Sequence, residues 1–510
     1  MKTNEVLIVA RPGLVRDGLV DMVSAISGLE SLEPAADGPA AVTRLGYHRQ
    51  ALVLLDASLP EDEALVAWLE IKGRYPDVRG MAIAGGARQQ KVLLEAGVQT
   101  VFLEGVSPAD LAQDIKATAN RPEDKGKSGR LHYLDWLRVL AILIVFLFHA
   151  VHPFDIADWH IKNGDQSLAV TAFLAFFFPW GMPFFFTLAG AGSWFALQRR
   201  TAGQFAAERF GRLLIPFVLG AALLTPLQRF FEWRHRHPGE PLPGVMTTLF
   251  DLEEVTFGPK IFGWAGFHLW FLGFLFAFSL LALPLFMWLK GEGGGRFLDR
   301  VARLTSGRGG LLLFLVPLLF IQLTIRPLFP AEHDWADFTV QMAFFILGFV
   351  LFADQRFQRA IRRDGRPMLV GAAITSLAIL AVLALGDPLT WLESPDMPHF
   401  YFIWALVSIN AWLWTVAVLA IGRRYLNFDH RWQRAGRQVI VPFFALHQPV
   451  IVVIAFYVVQ MNAGIPLKLP LVVVSAFLVS LGLVVTLSRL PHWRSVITRR
   501  FTAPAPEMAQ

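Results

Sequence analysis

The 510-residue sequence contains no cysteine, and this absence excludes several kinds of site at once. Disulfide bonds, thiolate metal ligands and cysteine nucleophiles all require a thiol. Charge is also scarce, because only 17% of the residues are Asp, Glu, Lys or Arg, whereas 55% are hydrophobic. This balance argues against a soluble globular protein and favours a chain that lies largely in a membrane.

The first residues, MKTNEVLIVARPG, lack the long apolar run of a signal peptide, so we expect the N-terminus to stay in the cytoplasm. The formal charge of +6 raises the question of a nucleic-acid partner. The basic residues, however, lie in short loops between apolar stretches, which is typical of a membrane protein. We therefore expect a lipid bilayer and no nucleic acid among the partners.

Residues 1–119 have the pattern of a cytoplasmic α/β domain. Short apolar runs such as EVLIVA and ALVLLD alternate with helix-length segments such as GLVRDGLVDMVSAI. Strands separated by helices predict βαβ units and a doubly wound parallel sheet. The following stretch, 120–130, is polar and rich in glycine and charge, which predicts a flexible linker.

From residue 131 to about 490 the sequence predicts an all-helical membrane domain with about ten spans of roughly 20 residues each. The stretches lie at about 135–153, 171–195, 211–231, 268–288, 310–329, 338–353, 367–385, 400–421, 439–461 and 469–488. Alternate loops are rich in arginine, whereas PAEHDWADF and GDPLTWLESPDMPH are acidic. The positive-inside rule then predicts both termini, including a tail at 491–510, in the cytoplasm. The basic segment RFFEWRHRH is an exception, because it falls on the predicted outer side.

The first stretch, LDWLRVLAILIVFLFHAVHPFD, carries Arg138 near its start and His149 deep inside it. An 11-residue separation on an α-helix ends about 20° beyond three whole turns, so both side chains share one face, roughly 16 Å apart along the axis. A charged residue at the centre of a membrane helix costs about 2.5–3.5 kcal/mol. A shared polar face therefore favours a functional role. Two simpler interpretations stay open: Arg138 as a membrane anchor paired with Asp135, and His149 as a packing residue.

The segment LDWLRVLAILIVFLFH, in which ten residues separate Arg138 from His149, resembles the opening of the bacterial acyltransferase-3 family of integral membrane enzymes. The likeness continues in FFFTLAGAGSWFALQRR, in ERFGRLLIP, in FHLWFL at 267–272 and in VPFFALHQPVIVV at 441–453. Among the branches of the family, YLDWLRVLA and HAVHPFD are most similar to the glucan-modifying, succinyltransferase-type members. The resemblance covers about residues 131–490.

This resemblance implies transfer of an acyl group, acetyl or succinyl, commonly from acyl-coenzyme A to a hydroxyl of an envelope or exported carbohydrate. It implies His149 as general base, which suits an imidazole pKa of about 6.5. Arg138 would bind or polarise the donor, because guanidinium groups pair with phosphates. An acyl-histidine intermediate stays open, and we expect no metal and no cofactor beyond acyl-coenzyme A as co-substrate. The expected donor-binding or supporting residues are Asp135, Arg209, Arg212 and His268. Alternatives stay open: Arg209 and Arg212 as topology charges, and His268 as a residue that lines the acceptor site or packs at the membrane interface.

Further residues in these segments have structural interpretations. His447 precedes Pro449 and would bond a carbonyl that the proline leaves free. His152 and Asp155 would either orient His149 or remain solvated loop residues. Bending of the second span is predicted at Pro179 and Pro183, and close helix packing at Gly190 and Gly192.

Near the N-terminus, VLIVARPGLVRDGL and ALVLLDASLPEDEAL resemble response-regulator receiver domains over about residues 4–118. Asp56 stands at the phospho-acceptor position of that family. The other functional positions have diverged: Ala10 and Arg11 replace the acidic pair, Ala84 replaces the hydroxyl residue and Glu104 replaces the lysine. Without the acidic pair Mg²⁺ lacks its ligands. The resemblance therefore implies a degenerate receiver that docks or regulates by contact with a cytoplasmic protein, although phosphorylation of Asp56 stays open.

Two other classes of function remain alternatives to a multi-pass O-acyltransferase of the bacterial inner membrane. A transporter or flippase would use intramembrane polar residues such as Gln322, Gln341 and Asn410 as a substrate path, but visible repeats and acidic coupling residues are missing. A membrane signalling protein would act through the receiver-like domain, which lacks the phosphorylation chemistry. The expected partners are acyl-coenzyme A, a glycan acceptor and the bilayer.

Overall fold

The computed structural model describes residues 5–46, 52–56, 59, 61–75, 78–120, 131–241, 258–386 and 388–489. The chain divides into two compact units, Met1–Arg130 and Leu131–Gln510. The predicted linker beyond Asn120 and the predicted tail 491–510 lie outside the described residues.

The first unit is built on a parallel five-stranded sheet with the order β2-β1-β3-β4-β5. Its strands are β1 Glu5–Val9, β2 Glu30–Ser31, β3 Leu52–Leu55, β4 Arg79–Ala84 and β5 Thr100–Leu103. Its helices are α1 Leu14–Ser24, α2 Gly38–Leu45, α3 Glu61–Arg74, α4 Ala87–Glu95 and α5 Pro108–Asn120.

Helices cover both faces of this sheet. Leu7 and Val53 belong to a buried cluster with residues of α2 and α3, whereas their neighbours Ile8 and Leu54 belong to a second cluster with residues of α1 and α5. Successive side chains of a strand point to opposite faces, so the continuous apolar runs of the central strands are what a doubly wound sheet requires. The predicted α/β class is confirmed.

The second unit is all-helical. Its first helices are α6 His132–Val151, α7 Leu168–Phe177, α8 Gly181–Leu197, α9 Ala202–Arg209, α10 Ile215–Leu223, α11 Thr225–Arg236, α12 Lys260–Gly266, α13 Trp270–Leu281 and α14 Leu283–Lys290. The remainder are α15 Glu292–Leu304, α16 Leu315–Thr324, α17 Trp335–Ala353, α18 Gln355–Leu385, α19 Pro388–Glu393, α20 Pro398–Tyr425, α21 Arg431–Val458 and α22 Ile465–Arg489.

Within the described residues, 9 helical segments are long and apolar enough to cross a membrane. The stretch predicted at 310–329 differs, because it contains only a shorter apolar helix, Gly310–Thr324. The chain turns there because Pro327 disfavours a helical conformation at Arg326. The Arg326 side chain is itself buried and forms an ion pair with Asp337 on α17.

The second predicted span consists of two helices, α7 and α8, with Pro179 in the connection between them. Pro183 lies in the first turn of α8, where a missing N–H costs little. The span is interrupted at residues 178–180, beside both prolines, in agreement with the bend predicted for it. Gly190 lies against the backbone of Phe345 on α17, where any side chain would collide. The close helix packing predicted for Gly190 is therefore present between α8 and α17.

Candidate active site

Three histidines from separate segments lie side by side in the membrane unit. His149 is in the last turns of α6, His447 is on α21, and His268 is in the 3-10 turn Phe267–Leu269 that precedes α13. The His447 ring centroid is 5.1 Å from that of His149 and 5.2 Å from that of His268, while the His149 and His268 centroids are 6.4 Å apart. His447 is fully buried and His268 nearly so.

Hydrogen bonds determine which nitrogen of each ring carries the proton. His447 Nδ1 lies 2.6 Å from the Phe444 carbonyl oxygen and must donate to it, which leaves a lone pair on His447 Nε2. This Nε2 lies 3.1 Å from His149 Nδ1, which also lies 2.9 Å from the Val145 carbonyl oxygen. Since both neighbours are acceptors, His149 Nδ1 carries a proton. The neutral His149 ring therefore has its basic lone pair on Nε2.

The third histidine is held by a carbonyl that a proline leaves free. Pro449 has no N–H, so the carbonyl of Ala445, four residues earlier on α21, loses its helical donor. His268 Nε2 donates to that oxygen at 3.1 Å. The prediction that His447 bonds the freed carbonyl is wrong, because His268 takes it and His447 bonds Phe444 instead. The buried Nδ1 of His268 has no hydrogen-bond partner among the described residues.

A group of charged residues lies near the start of α6. Asp135 is largely buried between two guanidinium groups, Arg138 Nη1 at 3.2 Å and Arg437 Nη1 of α21 at 3.4 Å. Arg138 Nη2 also donates to the Leu188 carbonyl of α8 at 3.3 Å. A Cβ on Gly192 would lie 3.0 Å from the same Nη2. Gly192 therefore makes room for the Arg138 side chain where α6 and α8 contact each other.

Of the two other predicted arginines, one is near Arg138 and one is not in contact with this group. The capping box of Thr201 and Gln204 starts α9, which carries Arg209 in its last turn. Arg209 Nη2 donates to Ser193 Oγ at 3.3 Å, next to Gly192, and is near enough to Arg138 for their charges to interact. Arg212 instead pairs with Glu208 at 2.7 Å, and its side chain is 60% exposed.

His152 and Asp155 follow α6 and bind each other. His152 Nδ1 lies 3.1 Å from Asp155 Oδ1, and Lys162 Nζ donates to the same oxygen at 2.6 Å. Burial raises the pKa of Asp155, but the contacts with His152 and Lys162 outweigh this and leave the pKa below its ordinary value. The interpretation of Asp155 as a solvated loop residue is wrong, because it is only 2% exposed.

In the first unit, Asp56 follows β3 and is buried, and its backbone N–H donates to the Val9 carbonyl at 3.1 Å. Ala84 ends β4 and Glu104 follows β5, so these positions lie with Asp56 at the carboxyl edge of the sheet. Arg11, which follows β1, forms an ion pair with Glu63 at 2.7 Å. Within the described parts of the chain, no group of three His, Cys, Asp or Glu side chains has the geometry of a metal site.

Residues 131–489 match the model of the acyltransferase-3 family, which is described as an acyltransferase domain. Because the match covers more than half of the chain, the protein belongs to this family, and it is a multi-pass membrane acyltransferase. Similar curated proteins are the Glucans biosynthesis protein C of Salmonella paratyphi A, Salmonella agona (strain SL483) and Salmonella dublin. Each is 24% identical over 311 residues, which are 59% of this chain and 77% of the relative. No solved structure matches the chain.

Proposed function

We propose that the protein transfers an acetyl or succinyl group from acyl-coenzyme A to a hydroxyl of an envelope or exported carbohydrate. The observation that carries the proposal is the hydrogen bonding of His149, which leaves its Nε2 lone pair available as a base. A carbohydrate acceptor is supported by the similarity to proteins named for glucan biosynthesis.

In the proposed reaction His149 Nε2 takes the proton of the sugar hydroxyl as its oxygen attacks the thioester carbonyl carbon. A C–O bond forms, the carbonyl oxygen takes the negative charge, and collapse of this intermediate breaks the C–S bond. The leaving thiolate then takes the proton from Nε2, which gives the acyl ester and free coenzyme A and restores neutral His149. During the step His149 Nδ1–H stays bonded to Val145 and His447, which stabilises the imidazolium.

Donor binding is assigned to the charged group near the start of α6. Arg138 and Arg209 would face the phosphates of coenzyme A. Asp135 lies between Arg138 and Arg437 and holds both guanidinium groups in place. Arg138 lies roughly 16 Å along α6 from His149. The long, thin pantetheine arm of the donor suits that separation.

The test is transfer of label from radiolabelled acetyl- and succinyl-coenzyme A to envelope glycans in membranes. We expect wild type and the exposed-site control His399→Ala to transfer label, and His149→Ala to lose transfer at matched expression and equal thermal stability. Equal transfer by His149→Ala and wild type would remove His149 as the base. No consumption of any acyl donor by the wild type would instead favour a transporter.

A further inference from the structure

A second polar group lies beyond the three histidines, on residues that the reaction above does not use. His160, in the connection between α6 and α7, has Nδ1 2.6 Å from Glu232 Oε2 of α11 and Nε2 3.1 Å from Gln448 Nε2 of α21. The carboxylate accepts from Nδ1–H, so His160 Nε2 accepts from the Gln448 amide. His160 thus connects α11 to α21. Its partner on α21, Gln448, is the residue that follows His447.

Aromatic rings border this group. The His160 ring centroid is 4.5 Å from that of Phe267, and the Arg229 guanidinium lies 5.3 Å from the Phe267 ring and 5.2 Å from the Trp264 ring. Phe267 has a backbone φ of 45°, a conformation that costs energy in a residue with a side chain. Such strain concentrates at functional sites. Here it accompanies the turn that brings His268 to the cluster of histidines.

Three buried polar atoms on these residues have no hydrogen-bond partner among the described residues: Gln448 Oε1, His268 Nδ1 and Trp264 Nε1. The first two are acceptors and the third is a donor. Buried polar groups are nearly always hydrogen-bonded, so unpartnered atoms on neighbouring residues are places where water or a ligand is held. A ligand with hydroxyl groups satisfies both kinds, because a hydroxyl donates and accepts.

We propose that His160, Glu232, Gln448, Trp264 and His268 form the subsite that binds the sugar acceptor. The hydroxyls of the sugar donate to Gln448 Oε1 and His268 Nδ1 and accept from Trp264 Nε1, while the aromatic rings contact its apolar C–H face. His268 connects this subsite to the proposed base, because its ring centroid is 6.4 Å from that of His149. The inference rests on the proposed function, from which it takes the carbohydrate class of the ligand.

The experiment measures binding of a β-linked gluco-oligosaccharide hexamer to the full-length protein in lipid nanodiscs by calorimetry. Trp264→Phe removes one unpartnered atom and keeps a ring, whereas Gln448→Met keeps the size of the side chain but removes both the unpartnered Oε1 and the hydrogen bond to His160. We expect each to raise the dissociation constant about tenfold, as for the loss of one buried hydrogen bond. The matched controls Gln460→Met and Trp288→Phe change exposed residues and should bind like wild type.

His149→Ala separates this proposal from the reaction, because it should lose acyl transfer and still bind the hexamer. Unchanged binding in both Gln448→Met and Trp264→Phe, or no binding by the wild type, would overturn the subsite. Normal binding together with no use of acyl-coenzyme A would count against the proposed reaction alone. Thermal unfolding of each variant shows whether a lost affinity comes from a lost fold.

Discussion

His447 Nε2 lies 3.1 Å from His149 Nδ1, so a histidine on α21 acts with the Val145 carbonyl to keep the proton of a histidine on α6 on its Nδ1. The His447 ring is itself fixed by the Phe444 carbonyl, which accepts a hydrogen bond from Nδ1 and so requires the His447 proton to be on that nitrogen. In the proposed reaction His447 is a positioning residue, because it would act on the substrate through His149.

His447→Leu should lower kcat by about 10²-fold and leave the KM for acyl-coenzyme A nearly unchanged, because the base loses its orientation while the donor contacts remain. His447→Gln should recover part of the loss, since its amide oxygen can accept from His149 Nδ1. Steady-state kinetics of both variants checks this. Equal kcat losses in the two variants would point to packing rather than to the hydrogen bond.

Gly192→Ala should weaken donor use without unfolding the protein. The added methyl group would lie 3.0 Å from Arg138 Nη2, so the guanidinium must shift by a few tenths of an ångström. We expect the KM for acyl-coenzyme A to rise by up to about tenfold, because small displacements of a binding group have large effects. Gly482→Ala is the control, because no atom lies within 4 Å of its added methyl group. A wild-type KM in Gly192→Ala would contradict the role of Arg138 in donor binding.

Asp155 predicts a pH-dependent contribution to stability. Its pKa is lower in the folded protein than in the unfolded chain, so its carboxylate stabilises the fold above the unfolded pKa of about 3.9. This contribution is lost as the pH falls through the still lower folded pKa. Asp155→Asn should therefore melt below wild type at pH 7, and the difference should shrink under acid conditions. A difference in melting temperature that is constant across this pH range would show that the charge is not involved.

Asp56→Asn should leave acyl transfer unchanged, and wild type should take up no label from acetyl phosphate with Mg²⁺. The reason is that Ala10 and Arg11 replace the acidic pair, so Mg²⁺ lacks its ligands. The Arg11 guanidinium instead pairs with Glu63. Mass spectrometry of the treated protein checks for a phosphorylated Asp56. Stoichiometric phosphorylation would show that the domain remains a working receiver, and its resemblance to receivers would then extend to their chemistry.

Local pattern predicts those features that depend on one segment at a time. Nine of the ten stretches predicted from length and apolarity correspond to membrane-length helices in the described part of the chain. Helical periodicity places Arg138 and His149 on one face. The short helix α16 departs from the pattern because Pro327 and the buried ion pair of Arg326 interrupt an apolar run. Hydropathy over a window does not register such single residues.

The contacts between distant segments could not be predicted in this way. From the sequence, Arg437 is one of the basic loop residues that indicate the cytoplasmic side. Only the packing of α21 against α6 brings it to Asp135. The bond between His160 and Glu232 likewise joins the connection between α6 and α7 to the distant helix α11. One signal was present, because Pro449 marks the Ala445 carbonyl as lacking a donor, but the sequence did not show which histidine would reach it.

Helices α6 and α21 contact each other through functional groups at two levels, Asp135 with Arg437 and His149 with His447. A movement that separates these helices would dismantle the donor-binding group and the base together. If the protein works as proposed, the bundle would not open a continuous passage between these two helices while it is competent for chemistry. Coenzyme A would then be retained on one side of the membrane even though its acyl group leaves on the other.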